Sequence, residues 1–178
     1  MRTITTTTTL YHYDELSDDA KEAVLDRLYD INIDHYWWDP TYEDAERVGI
    51  IITAFDLSPD EIDASIPDPY DTCRLILRDH GKGCDTHVTA RQQLREYVHA
   101  EWRWYKENRT TTEDLRPSEF RNYYEDEYLA WSEETAHALR EDYLAILRAE
   151  YEYLTSEEAI VDTINANEYE FTKDGTLS

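Results

Sequence analysis

The chain has 178 residues and carries 41 Asp and Glu against 17 Lys and Arg, a formal net charge of -24 at neutral pH. This balance argues against direct binding to nucleic acid or anionic membranes, which needs clustered Lys and Arg. Hydrophobic residues make up 40 % and aromatics 13 %, enough apolar material to close a core, so the chain is not a disordered acidic tail.

The Thr run before Leu10, Tyr11, His12 and Tyr13 is β-branched and predicts a strand over 4–13. Ser17, followed by Asp18 and Asp19, has the pattern of a helix start. Leu16, Ala20, Val24, Leu28 and Ile31 then form one apolar stripe, with a helix expected to about Tyr29. Asp18, Glu22, Asp26 and Asp30 recur every fourth residue on the other side, with only Lys21 and Arg27 nearby. Like charges at this spacing repel by a few tenths of a kcal/mol per pair, roughly, so the row costs stability unless it has a use.

Pro40 suits the first turn of a second helix through Arg47, with Trp37 and Trp38 before it as core anchors. Gly49 ends that helix, and Ile50–Leu57 reads as a strand whose three isoleucines suggest burial on both faces at a sheet centre. Residues 58–69 hold Pro59, Pro67 and Pro69 among acids and read as a loop or joint. Helices are expected over 70–80 and 86–106, then a polar connection over 108–117. From 118 to 154 the chain is almost continuously helix-compatible, with a core stripe of Ala136, Leu139, Tyr143, Leu147, Tyr151 and Leu154 and a break near Ser132. Ser156 caps a last helix to about Ala166, and the alternation over 168–172 predicts a strand. The expected fold class is α+β, mostly helical, with a small antiparallel sheet formed by the N-terminal, central (50–57) and C-terminal strands. Residues 1–178 are expected as a single domain, with lobe joints placed near 58–69 and 108–117.

Candidate chemistry is sparse. Cys73 and Cys84 are too few for a disulfide scaffold and read as free thiols. Cys73, His80, Cys84 and His87 are four metal-ligand types within a short stretch, but the seven-residue gap between Cys73 and His80 is not a zinc-finger clip. His80 before Gly81 is also what a helix end requires, so the expected metal and cofactor complement is none, with the quartet left open. With four glycines and no GxSxG elbow, phosphate loops and an acyl-transfer nucleophile are not expected, and the chain reads as non-enzymatic. Arg91, Arg95, Trp102, Arg103, Trp104, Tyr105 and Arg109 interleave bases with aromatics, but Glu96, Glu101 and Glu107 flank them, which favours an internally neutralised helix with partly buried Trp.

The acidic doublets remain. Asp126, Glu134 and Glu141 are seven or eight residues apart, which on an unbroken helix sets them on one side about 11 Å apart. With the neighbouring Glu125, Glu133 and Asp142 and the row Asp18, Glu22, Asp26 and Asp30, they are the candidate partner-binding carboxylates. A compact chain of this length spans about 40 Å. Duplex DNA carries roughly 24 charges over that distance. Carboxylates on rigid helices can stand in for phosphates facing the Arg and Lys of a basic protein. General acidic solvation, as in a halophile's binding module, accounts for the same composition, including the preference for Arg over Lys.

Tyr13–Leu57 and Glu141–Gly175 resemble a family of small acidic proteins of phages, prophages and other mobile elements. The resemblance covers about the first and last thirds of the chain and brings no catalytic residue. It implies an inhibitor of host restriction or CRISPR systems, several of which are DNA-like in charge, and also an antitoxin reading in which a cognate toxin is covered. The expectation is an anti-CRISPR or anti-restriction DNA mimic acting on a basic nucleic-acid-binding defence protein, with no direct nucleic-acid or membrane contact. No bilayer-spanning run and no signal-peptide h-region are visible in the sequence, so the expected location is the bacterial cytoplasm. The oligomeric state stays open, a homodimer included.

Overall fold

A computed structural model describes residues 3, 7–108 and 125–178. Its regular elements, in chain order, are helices α1 (Asp18–Arg27) and α2 (Asp39–Arg47), strands β1 (Ile51–Leu57) and β2 (Asp60–Ser65), then helices α3 (Pro69–Asp79), α4 (Asp85–Asn108), α5 (Glu125–Leu154) and α6 (Glu157–Ala166). The architecture is α+β and mostly helical, with a small antiparallel sheet, as the patterning predicts. The chain divides into two compact units, residues 38–147 and residues 1–37 with 148–178. Among the described residues no helix is long and apolar enough to cross a membrane.

In the unit of residues 38–147, α2 begins with Pro40 in its first turn and ends at Gly49. Ile50 N donates to Ala45 O at 2.9 Å and Gly49 N to Glu46 O at 3.0 Å, a helix stop that needs the positive φ of 87° at Gly49. Strand β1 then pairs with β2, with Ile52 opposite Ala64 and Phe55 opposite Ile62. This corrects two expectations: the partner of the central strand is 60–65 and not the termini, and 58–69 is a hairpin leading into α3 instead of a loop. The period-2 alternation of Ile62 and Ala64 with Glu61, Asp63 and Ser65 was masked by its acids and by the prolines just outside the strand. Among the described residues the sheet has two strands, and the isoleucine run is not buried on both faces. Ile50 and Ile52 are buried, while Ile51 is 51 % exposed.

Asp68 caps α3 by accepting from Asp71 N at 3.1 Å. The stripe on α5 reads as expected, with Ala136, Leu139 and Tyr143 buried in one core with Val48, Ile50 and Ile76. The expected break near Ser132 is absent. Trp131 Nε1 donates to Gln93 O at 3.0 Å and Thr135 Oγ1 to Gln93 Oε1 at 3.0 Å, so contacts to α4 carry the helix past Ser132 without a break.

In the other unit, Ala20 and Val24 of α1 pack with Ile160 and Ile164 of α6 and with Phe171. Ser17 sits at the N-cap without a side-chain cap bond, whereas Ser156 Oγ accepts from Ala159 N at 3.3 Å and caps α6. The terminal segments do pair, but only as single bridges, Tyr11 with Phe171 and Phe171 with Leu177. Residues 13–15 turn into a 3-10 helix instead of extending the strand, because Glu15 Oε2 accepts from His12 N at 2.9 Å and the Tyr13 ring is buried. Residues 4–6 of the predicted N-terminal strand, and 109–117 of the predicted joint, lie outside the described residues. Gly175, at φ 75°, crosses α1 so closely that a Cβ would meet Ala20 O at 2.6 Å and Val24 Cγ2 at 3.0 Å. Gly175→Ala is therefore expected to lower the unfolding free energy by about 2 kcal/mol or more, read as a reduced midpoint in urea or heat.

Candidate functional site

The apolar face of α1 is used against α6 and Phe171, which turns Asp18, Glu22 and Asp26 outward. Asp30 is exposed as well, though it lies in the turn after the helix ends at Arg27. The two nearby cations do not serve this row. Lys21 Nζ stands 5.7 Å from the centroid of the Tyr13 ring. Arg27 Nη1 donates to Asp174 O at 3.3 Å and to Thr176 Oγ1 at 3.1 Å, fastening the C-terminal turn. That turn holds Asp174 below the usual carboxylate range, chiefly through the Thr172 hydroxyl.

On α5, Glu125, Asp126, Glu133 and Glu134 are exposed. The helix is unbroken, so the spacing of Asp126, Glu134 and Glu141 along one side holds. Glu141, also exposed, has His137 Nδ1 at 4.0 Å and shares a concave surface with Asp60, Glu61 and Asp63 of β2. In the sequence these strand acids are hidden as a group, because the prolines on either side give their segment the pattern of a loop. Arg140, on the same concavity, donates from Nε to Ala64 O at 2.9 Å. Other arginines pair with acids beside them: Arg47 with Asp44, Arg74 with Asp71 and Arg78 with Asp79. Among the described residues, Asp18, Glu22, Asp26, Asp30, Glu125, Asp126, Glu133 and Glu134 have no ion-pair partner.

Asp142 differs from the other nine. It is half-buried, its Oδ2 has no hydrogen-bond partner, and desolvation raises its carboxyl against a lowering contact from Thr89 and a further raising effect of Asp85. It is a packing residue more than a surface charge. The basic-aromatic stretch on α4 also departs from expectation, since Trp102 is 58 % exposed beside exposed Arg103, with Lys106 Nζ 6.0 Å from its ring centroid. Arg109 lies outside the described residues.

Cys73, His80, Cys84 and His87 do not converge, and among the described residues no group of three or more His, Cys, Asp or Glu is placed to hold a metal ion. Cys73 is fully buried on α3, where burial pushes its thiol up to about 12. His80 instead joins a cluster the sequence could not reveal, because its members lie far apart in the chain. Asp44 Oδ2 accepts from Tyr143 Oη at 3.0 Å and lies 3.4 Å from His80 Nε2, while its Oδ1 accepts from Arg47. The His80 contact is at ion-pair distance but lacks hydrogen-bond geometry. Burial, and secondarily the Asp44 carboxylate, holds the Tyr143 hydroxyl far above the usual phenol range. On its other edge, His80 Nδ1 is 2.8 Å from Thr86 Oγ1, which reaches Cys84 Sγ at 3.6 Å.

Comparisons with protein-family models, with curated proteins and with solved structures each find no match.

Because Asp142 is raised, the folded state holds its proton more tightly than the unfolded chain, and ionisation costs stability as pH rises through the window between the two values. Asp142→Asn is expected to raise the denaturation midpoint modestly at neutral pH, with the difference from wild type shrinking in acid, as followed by urea melts across pH.

Proposed function

We infer that the protein is a non-enzymatic inhibitor from a phage or other mobile element. In this reading it acts in the bacterial cytoplasm as an acidic DNA mimic that fills the nucleic-acid channel of a DNA-targeting defence complex, either a CRISPR effector or a restriction enzyme. The observation that carries it is the set of eight exposed carboxylates on α1, α5 and the turn after α1 that have no ion pair among the described residues, while nearby cations bond to carbonyls, a hydroxyl and an aromatic ring. Ordinary surface acids gain from interspersed cations. Here that compensation is withheld from acids on ordered backbone, which favours a basic partner as the missing counter-charge. Association driven this way is fast and weakens with salt.

Plating of phages on hosts armed with single CRISPR or restriction systems, with and without the expressed protein, tests the reading. At least one system is expected to be silenced, and replacing Asp18, Glu22, Asp26 and Asp30 by Asn or Gln is expected to cut the protection about tenfold or more. Inhibition that survives the neutralised row, or growth rescue from a toxin with no effect on plating, would sink it.

A further inference from the structure

The carboxylate reading leaves one face of α4 unused. Arg91, Arg95, His99 and Arg103 recur every fourth residue along it, and all four are exposed. Val88, Val98, Trp102 and Lys106, also exposed, each stand three residues from a member of that row, so charge and apolar surface share one side of the helix. The acids beside the row do not neutralise it. Glu96 Oε1 accepts from Gln92 Nε2 at 3.1 Å, and Glu101 is partly buried, where desolvation raises its carboxyl. Arg27, Arg47, Arg74, Arg78 and Arg140 all bond within the chain. Arg91, Arg95 and Arg103 are set apart from them, with no ion pair among the described residues. In a chain of net charge -24, a cationic stripe left open in this way calls for an anionic counterpart.

We propose that this face of α4 docks the acidic row of α1 on a second copy of the chain, a contact that lies beyond the DNA-mimic reading. The two rows match in period and oppose in sign. Asp18, Glu22 and Asp26 repeat every fourth residue, as Arg91, Arg95 and His99 do, and at ~1.5 Å per residue both rows place a group about every 6 Å. Each row also carries an aromatic ring at the same place in its repeat. Tyr29, three residues after Asp26, is 47 % exposed, and Trp102, three residues after His99, is 58 % exposed. A parallel alignment of the two helices therefore sets Asp18, Glu22 and Asp26 opposite Arg91, Arg95 and His99, with Tyr29 opposite Trp102. Exposed ion pairs are individually weak, so the contact depends on several at once and on the ring pair beside them. At about 0.15 M salt, charges more than about 8 Å apart are largely screened, so repulsion between two anionic chains fades while the facing rows still attract.

Sedimentation of the purified full-length protein tests the contact. At roughly 0.2 mM protein and about 0.15 M salt the weight-average mass is expected to exceed that of the monomer, and in about 1 M salt, where the screening length is about 3 Å, to return to it. Arg91→Glu with Arg95→Glu, and separately Asp18→Lys with Glu22→Lys, are each expected to weaken association about tenfold or more, with circular dichroism confirming that both variants fold. Each variant keeps only one half of the contact, and a mixture of the two holds both halves. The mixture is therefore expected to recover a mass above the monomer's, which self-association through any other surface would not require. The proposal is overturned if the wild type stays monomeric, which would leave the α4 face to an acidic partner of another kind. It is overturned equally if a folded variant associates like the wild type, or if the mixture stays monomeric. The α4 substitutions leave all eight carboxylates in place and association is read with no defence complex present, so this contact and the channel reading fail separately.

Discussion

Self-repulsion is the constraint under which every part of this molecule is built. A chain with 41 carboxylates and 17 Lys and Arg loses stability on compaction unless its few cations are placed where each does most. They are placed structurally. Arg27 fastens the C-terminal turn, Arg140 holds the backbone of β2, Lys21 covers the Tyr13 ring, and Arg47 anchors the Asp44 that also takes the Tyr143 hydroxyl. These four bond to groups that would otherwise be unsatisfied or loosely packed, and among the described residues Asp18, Glu22, Asp26, Asp30, Glu125, Asp126, Glu133 and Glu134 are left without an ion pair. Apolar contacts carry the remaining stability, in two separate clusters that draw on α5 and on the α1, α6 and Phe171 group.

The same placement separates two populations of acid. Asp44 and Asp142 lie partly inside, Asp44 accepting from Tyr143 and Arg47 and Asp142 raised by desolvation, and their value is to packing. The acids of α1 and the exposed side of α5 lie in water on ordered backbone, where little side-chain freedom beyond the rotamers themselves remains to be lost on binding. Position on the helix, not residue type, sorts one population from the other: Glu141 and Asp142 are sequence neighbours, yet one opens to solvent and the other faces Thr89.

Helices were legible in the sequence because their signals are local. Pro40, Gly49 and Ser156 mark ends by their own backbone chemistry, and the stripe from Ala136 to Leu147 needs only a period to be seen. What escaped was decided by contacts between distant residues. Ser132 reads as a break until Gln93 is known to hold Trp131 and Thr135 on either side of it. Residues 60–65 read as a loop because acids outweighed Ile62 and Ala64, whose burial depends on the core beneath. The carboxylate rows could be listed from spacing alone, but whether cations neutralise them could not, since Arg27 finds its partners 147 and 149 residues away. The cluster around Asp44 was invisible for the same reason.

The hairpin also bears on how the protein behaves when concentrated. Among the described residues its two strands have only each other as strand neighbours, so each presents an outer edge. Such edges ordinarily invite another molecule to add a strand and start a fibril. Here Asp56, Asp60, Glu61 and Asp63 stand along them, all exposed, so a second hairpin approaching in register would bring like charges into contact. The surplus of acid thus acts as a guard against cross-β stacking, keeping a short, open sheet from becoming a template for its own copies.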